Sequence, residues 1–116
     1  MKIYHNSRCR KSREALAILY ENNLEVEIIE YLKNPITKKE LIQLIKMLDI
    51  NPLDLIRRQE KLFKEKYRNK IFKKDDVIDV LMKHPILMQR PIIVRDNCAV
   101  LGRPPINVLD LLKNTK

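Results

Sequence analysis

The spacing of hydrophobic positions along the chain changes period twice, and the changes divide it into three stretches. Residues 2–5 are short and β-prone, and Ala15, Leu16, Leu19 and Tyr20 then recur at helical spacing, which predicts a strand, a loop and a helix from about Lys11. Asn22-Asn23 ends that helix, and the alternation from Glu25 to Glu30 predicts a second strand, completing a βαβ unit. In the middle of the chain Thr37 and Glu40 form a capping-box pattern ahead of Leu41, Leu44, Ile45 and Leu48, the i, i+3, i+4, i+7 series of an amphipathic helix. Asn51-Pro52 restarts the chain into a short turn through Leu53, Leu55 and Ile56, and a short helix is expected near Glu60 to Lys66. Asp75 and Asp76 open a further helix with Val77, Ile78, Leu81 and Met82 on one face, which His84-Pro85 stops. No strand signal occurs between Tyr31 and Pro85. The last stretch returns to β-branched and apolar runs, Ile92 to Val94 and Cys98 to Leu101, joined by the turn-prone Arg95-Asp96-Asn97, before a terminal helix carrying Val108, Leu109 and Leu112.

The pattern βαβ, helices, ββα predicts an α/β domain with a mixed four-stranded sheet and a helical insertion at about 35–85. A chain of 116 residues suits one domain with one core, so a single domain over 1–116 is expected. No apolar run reaches the length of a membrane span, and Met1-Lys2-Ile3 leads directly into the first strand without an apolar leader, so the expected location is the cytoplasm. The cysteines, Cys9 and Cys98, would be reduced there, and no His/Cys group has ligand spacing, so no metal is expected. The net charge of +9 changes the picture in one place, because nine Lys or Arg residues face only Glu60 and Glu65 between Arg57 and Lys74. Such a run attracts polyanions. Phe63, Tyr67 and Phe72 are its only aromatics and no nucleic-acid reading motif accompanies them, so a solvated basic surface is expected there rather than a nucleic-acid interface.

The candidate chemistry lies in Tyr4 to Ser12. Cys9 falls between the first strand and the first helix, where unpaired backbone N–H groups and the helix dipole favour a negative charge and a thiol tends to ionise. Arg8, Arg10, Lys11 and Arg13 surround it with positive charge, which is unlike the surroundings of a buried inert cysteine. His5 is placed to lower the thiol pKa or to orient the loop, and Ser12 either bonds the sulfur or caps the helix. The same environment attracts an anionic substrate.

Four pieces of sequence carry a resemblance: Tyr4-His5-Asn6-x-x-Cys9-x-x-Ser12, Leu55-Ile56-Arg57, His84-Pro85-Ile86-Leu87-x-x-Arg90-Pro91 and Gly102-Arg103-Pro104. In this order and spacing they resemble the glutaredoxin-dependent arsenate reductase family, of the thioredoxin/glutaredoxin-like fold. The resemblance implies that Cys9 is the nucleophile, that Arg57, Arg90 and Arg103 bind the oxyanion, that His5, Asn6 and Ser12 support the loop, and that Pro91 takes the cis-proline position. It implies reduction of arsenate to arsenite through a Cys9 adduct, with glutathione as co-substrate, glutaredoxin as partner and no bound cofactor, in a monomer. Planar guanidinium groups suit a tetrahedral oxyanion because each gives it paired, charge-assisted hydrogen bonds.

Each assignment has a plainer competitor. Arg57 competes with its neighbour Arg58, Arg103 could cap a turn beside Gly102, the only glycine, and Cys98 reads as a small packing residue. Many members of the family have proline where Ser7 stands and a small residue where Arg10 stands, which opens the question of substrate preference. Two other classes share the fold, a regulator that binds RNA polymerase and a glutathione-dependent reductase of another substrate. Ser12 stands where a redox-sensing regulator of the C-x-x-C type would need its second cysteine, and the full arginine set favours oxyanion chemistry.

Overall fold

The computed structural model describes residues 1–70 and 73–113, with side chains as far as Leu111. Phe72 and the side chain of Leu112, both read from the sequence above, lie outside the described residues. The chain forms two compact units, one of Met1–Asn34 with Arg90–Lys116 and one of Pro35–Gln89. The helical segment expected at about 35–85 corresponds to the second.

In the first unit, β1 (Lys2–Tyr4), α1 (Arg10–Glu21) and β2 (Glu27–Ile29) are followed, after the second unit, by β3 (Ile92–Arg95), β4 (Cys98–Leu101) and α5 (Val108–Lys113). The four strands form one mixed sheet in the order β2-β1-β3-β4, the sheet of a thioredoxin-like fold. β1 runs parallel to β2 and antiparallel to β3, and β3 is antiparallel to β4. The register explains the burial of each strand. β3 lies between β1 and β4, and Ile92, Ile93 and Val94 are all buried, as a run apolar at every position requires. β2 is an edge, so Glu27 and Ile28 are exposed and only Ile29 is partly covered. β4 is the other edge, and its first residue, Cys98, is exposed rather than packed, because it follows directly on the Asp96-Asn97 turn while Ala99 takes the inward position. Asp96 adopts a left-handed backbone (φ 55°), which aspartate tolerates.

Ile3, Ala15, Leu19, Ile93, Val108 and Leu111 make the core that joins sheet, α1 and α5. On α5, Val108 and Leu111, at i+3 from it, reach this core, and Leu109 is only partly buried. Tyr20 was placed on the apolar face of α1 by its spacing, yet it is 53% exposed, one position past the buried Leu19. Ser12, near the opposite end of the helix, is fully buried.

The second unit holds α2 (Lys38–Leu48), a 3-10 turn at Pro52–Leu55, α3 (Lys61–Lys66), α4 (Lys74–Lys83) and a 3-10 turn at Pro85–Leu87. Thr37 caps α2, its hydroxyl accepting from the Glu40 N–H at 3.1 Å, and Leu41, Leu44, Ile45 and Leu48 are all buried. α2 packs on α4, where Val77, Ile78, Val80 and Leu81 are buried while Met82, assigned to that face by its spacing, is 38% exposed. No strand was expected here, but Ile56 and Met88 form an antiparallel bridge. The Arg57 N–H donates to the Leu87 carbonyl at 2.7 Å, and the Gln89 N–H to the Leu55 carbonyl at 2.8 Å. Two of the four sequence motifs are therefore tied to each other through their backbones. A pairing this short carries no periodicity of its own.

Candidate active site

Cys9 is the N-cap of α1, which begins one residue earlier than its spacing suggested. Its own N–H donates to the Asn6 carbonyl at 2.9 Å, and its carbonyl accepts the first helical bond, from Arg13 N–H at 3.0 Å. With an extended backbone (φ −93°, ψ 121°), Cys9 leaves the first N–H groups of the helix facing its side chain. Partial burial pushes the Cys9 thiol up, but the Ser12 N–H, the Arg90 guanidinium through both a hydrogen bond and its charge, and the Lys11 N–H together bring it below the usual thiol range.

The positive charge that matters at the sulfur is thus that of Arg90, across the sheet, and not that of the flanking basic run. Arg10 points away and pairs with Glu14 at 2.8 Å, its side chain 83% exposed. Arg8, Lys11 and Arg13 are exposed, and solvent screens them. Arg90 is buried to 9% exposure at the entry to β3. Its carbonyl accepts from Arg103 Nη1 at 3.2 Å, which ties the Arg103 side chain to the backbone at Arg90. The peptide bonds Arg90–Pro91 and Arg103–Pro104 are both cis. Gly102 seats this corner, donating its N–H to the Pro91 carbonyl at 2.9 Å. Space rather than conformation requires glycine there: a Cβ would stand 2.8 Å from Pro91 Cγ, 3.1 Å from Ile93 Cδ1 and 3.3 Å from Ala15 Cβ. Asn107 Nδ2 holds the far side of the turn through the Arg103 carbonyl at 3.2 Å.

The loop in front of Cys9 is fixed from within. The Ser12 hydroxyl accepts from the Asn6 N–H at 3.1 Å and is hydrogen-bonded to His5 Nδ1. The hydroxyl has one proton and two lone pairs, so it serves the Asn6 N–H and His5 Nδ1 together, giving or taking the proton at Nδ1 according to the ring's tautomer. Burial, opposed by Glu30 and assisted by Arg13, holds the His5 pKa below its ordinary value, in keeping with a neutral ring. His5 therefore orients the loop through Ser12 and supplies no positive charge to the thiolate. Likewise the Ser12 side chain serves the loop, and it is the Ser12 backbone that serves the sulfur. Asn6 Oδ1 accepts from the Arg8 N–H at 3.0 Å, closing the turn.

Of the sequence-predicted residues, the first unit brings together Cys9, Arg90, Arg103, Pro91, His5, Asn6 and Ser12. Arg57 belongs to the second unit, where its Nη1 lies 3.2 Å from Glu60 Oε1 and its side chain is 21% exposed. Arg58, its competitor, is 56% exposed and lies 3.6 Å from Asp54. Sequence reasoning missed Glu30, whose carboxylate interacts with Lys33, the Ser7 side chain and His5. The parallel pairing of β1 with β2 was the available signal, since it sets the end of β2 beside the loop that follows β1. Among the described residues no group of three or more His, Cys, Asp or Glu gathers as metal ligands, and no helix is long and apolar enough to cross a membrane.

The family model described as the ArsC family matches residues 4–111, a span that begins at the cysteine-loop motif and includes the paired arginines. The chain belongs to the ArsC family. The Escherichia coli protein YfgD, itself uncharacterized, is 40% identical over 114 residues, 97% of this chain and 96% of its own length. The arsenate reductase of Acidiphilium multivorum is 36% identical over 115 residues, 98% of this chain and 82% of that protein. Among solved structures, the arsenate reductase from Vibrio cholerae superposes with a TM-score of 0.87 at 36% identity, covering 95% of this chain and 97% of that one. Within this ArsC family chain the sheet and the Cys9 loop therefore have a solved counterpart at appreciable identity.

Proposed function

We propose that the protein reduces arsenate to arsenite through a covalent Cys9 adduct, with glutathione and glutaredoxin supplying the electrons, as a cytoplasmic monomer. The observation that carries this reading is a cysteine at the N-cap of α1 whose thiol is held below its usual range by Arg90 and the first backbone N–H groups of the helix, with the Arg103 guanidinium bonded to the Arg90 carbonyl. The names of the relatives point the same way. Arsenate brings negative charge to a thiolate that is itself negative, so the attack needs cations at the site before it can begin. Arg90 and Arg103 supply them, and their planar forks match the oxyanion's paired oxygens. Arg57 is assigned as the third oxyanion ligand on its motif alone.

In the first step the Cys9 thiolate displaces hydroxide from arsenic(V), forming a sulfur–arsenic bond without change of oxidation state. A glutathione thiolate then attacks the Cys9 sulfur. The sulfur–arsenic electron pair leaves with arsenic, which becomes arsenic(III) and departs as arsenite, and a Cys9–glutathione disulfide remains. Glutaredoxin takes glutathione from that disulfide and returns Cys9 as the thiolate. The protein's contribution is electrostatic: the groups that lower the thiol pKa also stabilise charge moving onto oxygen as the bond to arsenic forms.

The test is arsenite production by the purified protein with arsenate, glutathione and glutaredoxin, and with each omitted in turn. Turnover that requires all three is the expected result. Arsenate-independent thiol reductase activity with no arsenite would replace this reading by that of a reductase acting on another substrate.

A further inference from the structure

A groove of about 230 Å³ runs beside the nucleophile loop, walled by residues 5–8 on one side and by Glu30, Leu32 and Lys33 on the other. None of the arginines assigned to the oxyanion lines it. The chemistry above needs two electrons, and the first unit offers no second thiol near Cys9. Cys98 pairs with Arg95, whereas Tyr4, which leads into the Cys9 loop, pairs with Ile92 and through it with Leu101. That places Cys98 three residues along the strand, roughly 10 Å towards the opposite end of the sheet. The reducing thiol therefore comes from outside.

The walls of the groove carry two cations and one anion. Arg8 has no carboxylate partner among the described residues, and Lys33 lies 3.3 Å from Glu30 with its side chain 74% exposed. An exposed pair of this kind contributes little and opens readily to another partner. Leu32 adds apolar surface. We propose that this groove docks the thiol co-substrate, a small peptide thiol bearing two carboxylates and one ammonium, with Arg8 and Lys33 taking the carboxylates and Glu30 the ammonium. Glutathione has that charge set, and the inference rests on the function proposed above. Cys9 does not line the groove, but Arg8, which does, immediately precedes it, and an extended tripeptide spans roughly 10 Å, which is the reach the docked thiol would use. Arg90 and Arg103 do not line the groove and stay with the oxyanion while arsenite departs, and the electron balance is that of the second step above.

Titration of the isotopically labelled full chain with S-methylglutathione, which cannot react, tests the site by amide chemical shifts. Shifts concentrated at residues 5–8 and 30–33 are expected, with binding weakened about tenfold by the charge reversals Arg8→Glu and Lys33→Glu together, equivalent to roughly 1.4 kcal/mol. Shifts centred elsewhere, no shifts, or shifts that the reversals leave unchanged would overturn the proposal. In turnover, the same double variant should raise KM for glutathione about tenfold and leave KM for the uncharged 2-mercaptoethanol unchanged. An equal rise for both thiols would mean that these residues only shape the loop. A protein that reduces no arsenate yet binds S-methylglutathione in the groove would refute the proposed function and keep the docking site.

Discussion

Replacing Gly102 by alanine tests whether the arginine corner is held by close packing. Gly102 has no positive φ, so alanine meets no backbone strain and should reduce the freedom of the unfolded chain, a gain of about 0.4–1 kcal/mol. Against this stands the added methyl. Carbon atoms prefer separations of about 3.5–4.0 Å, whereas the new Cβ would lie 2.8 Å from Pro91 Cγ, 3.1 Å from Ile93 Cδ1 and 3.3 Å from Ala15 Cβ. A proline ring, a central strand and a helix methyl cannot all retreat together. With three contacts this close the overpacking cost lies above the middle of its usual range, at about 2–2.5 kcal/mol, which leaves a net destabilisation of roughly 1–2 kcal/mol after the entropic gain. Urea unfolding should show a lower midpoint at unchanged slope, by roughly 0.5–1 M for a slope near 2 kcal/mol per M. The Arg90 and Arg103 pair should shift with Pro91, raising KM for arsenate. A midpoint within 0.2 M of the parent, a margin of roughly 0.4 kcal/mol at that slope, would refute the close-packing argument.

Three further outcomes follow from the site. Arg90→Ala should raise the Cys9 pKa, moving the pH profile of iodoacetamide alkylation upward towards the usual thiol value of about 8.5, and either Arg90→Ala or Arg103→Ala should weaken arsenate reduction by roughly 1.5–3 kcal/mol. An alkylation profile unchanged by Arg90→Ala would remove the guanidinium from the account. Ser12→Ala strands the Asn6 N–H and His5 Nδ1 in a buried loop and should lower unfolding free energy by about 1–3 kcal/mol, read from denaturant midpoints. His5, with its folded pKa depressed, binds a proton more readily when unfolded, so its contribution to stability is full above about pH 6.5 and is lost as pH falls through the folded value. Unfolding midpoints measured from pH 7.5 to pH 5 should converge between the parent and His5→Gln as the pH falls.

Much of the fold was legible because long-range order here follows local period. The α2 series Leu41, Leu44, Ile45 and Leu48 is buried throughout, and the uninterrupted Ile92 to Val94 run marks a central strand. What escaped was set by direction and distance rather than by period. Tyr20 and Met82 lie at the margins of their apolar stripes, where spacing alone does not decide exposure. The short Ile56–Met88 bridge is made by backbone atoms that any residues would supply. At the site, Cys9 at a helix start and the motif arginines could be named from sequence. The source of the positive charge could not. Four bases flank Cys9 in the chain, yet the guanidinium on the sulfur is that of Arg90, far away in sequence and brought in by the β1–β3 pairing. The lowered pKa of His5 likewise comes from burial, with Arg13 assisting against the opposing charge of Glu30, none of which its neighbours in sequence reveal.

The central claim is that the Cys9 thiolate bonds to arsenic and then to the reducing thiol. The direct measurement is mass spectrometry of the protein after a single exposure to arsenate and glutathione with glutaredoxin withheld, alongside quantification of arsenite. The account predicts a glutathione disulfide on Cys9, formed only when arsenate is present, in equal amount to the arsenite released, and neither product with Cys9→Ser. Arsenite released by Cys9→Ser, or a glutathione disulfide on Cys98 in place of Cys9, would contradict it.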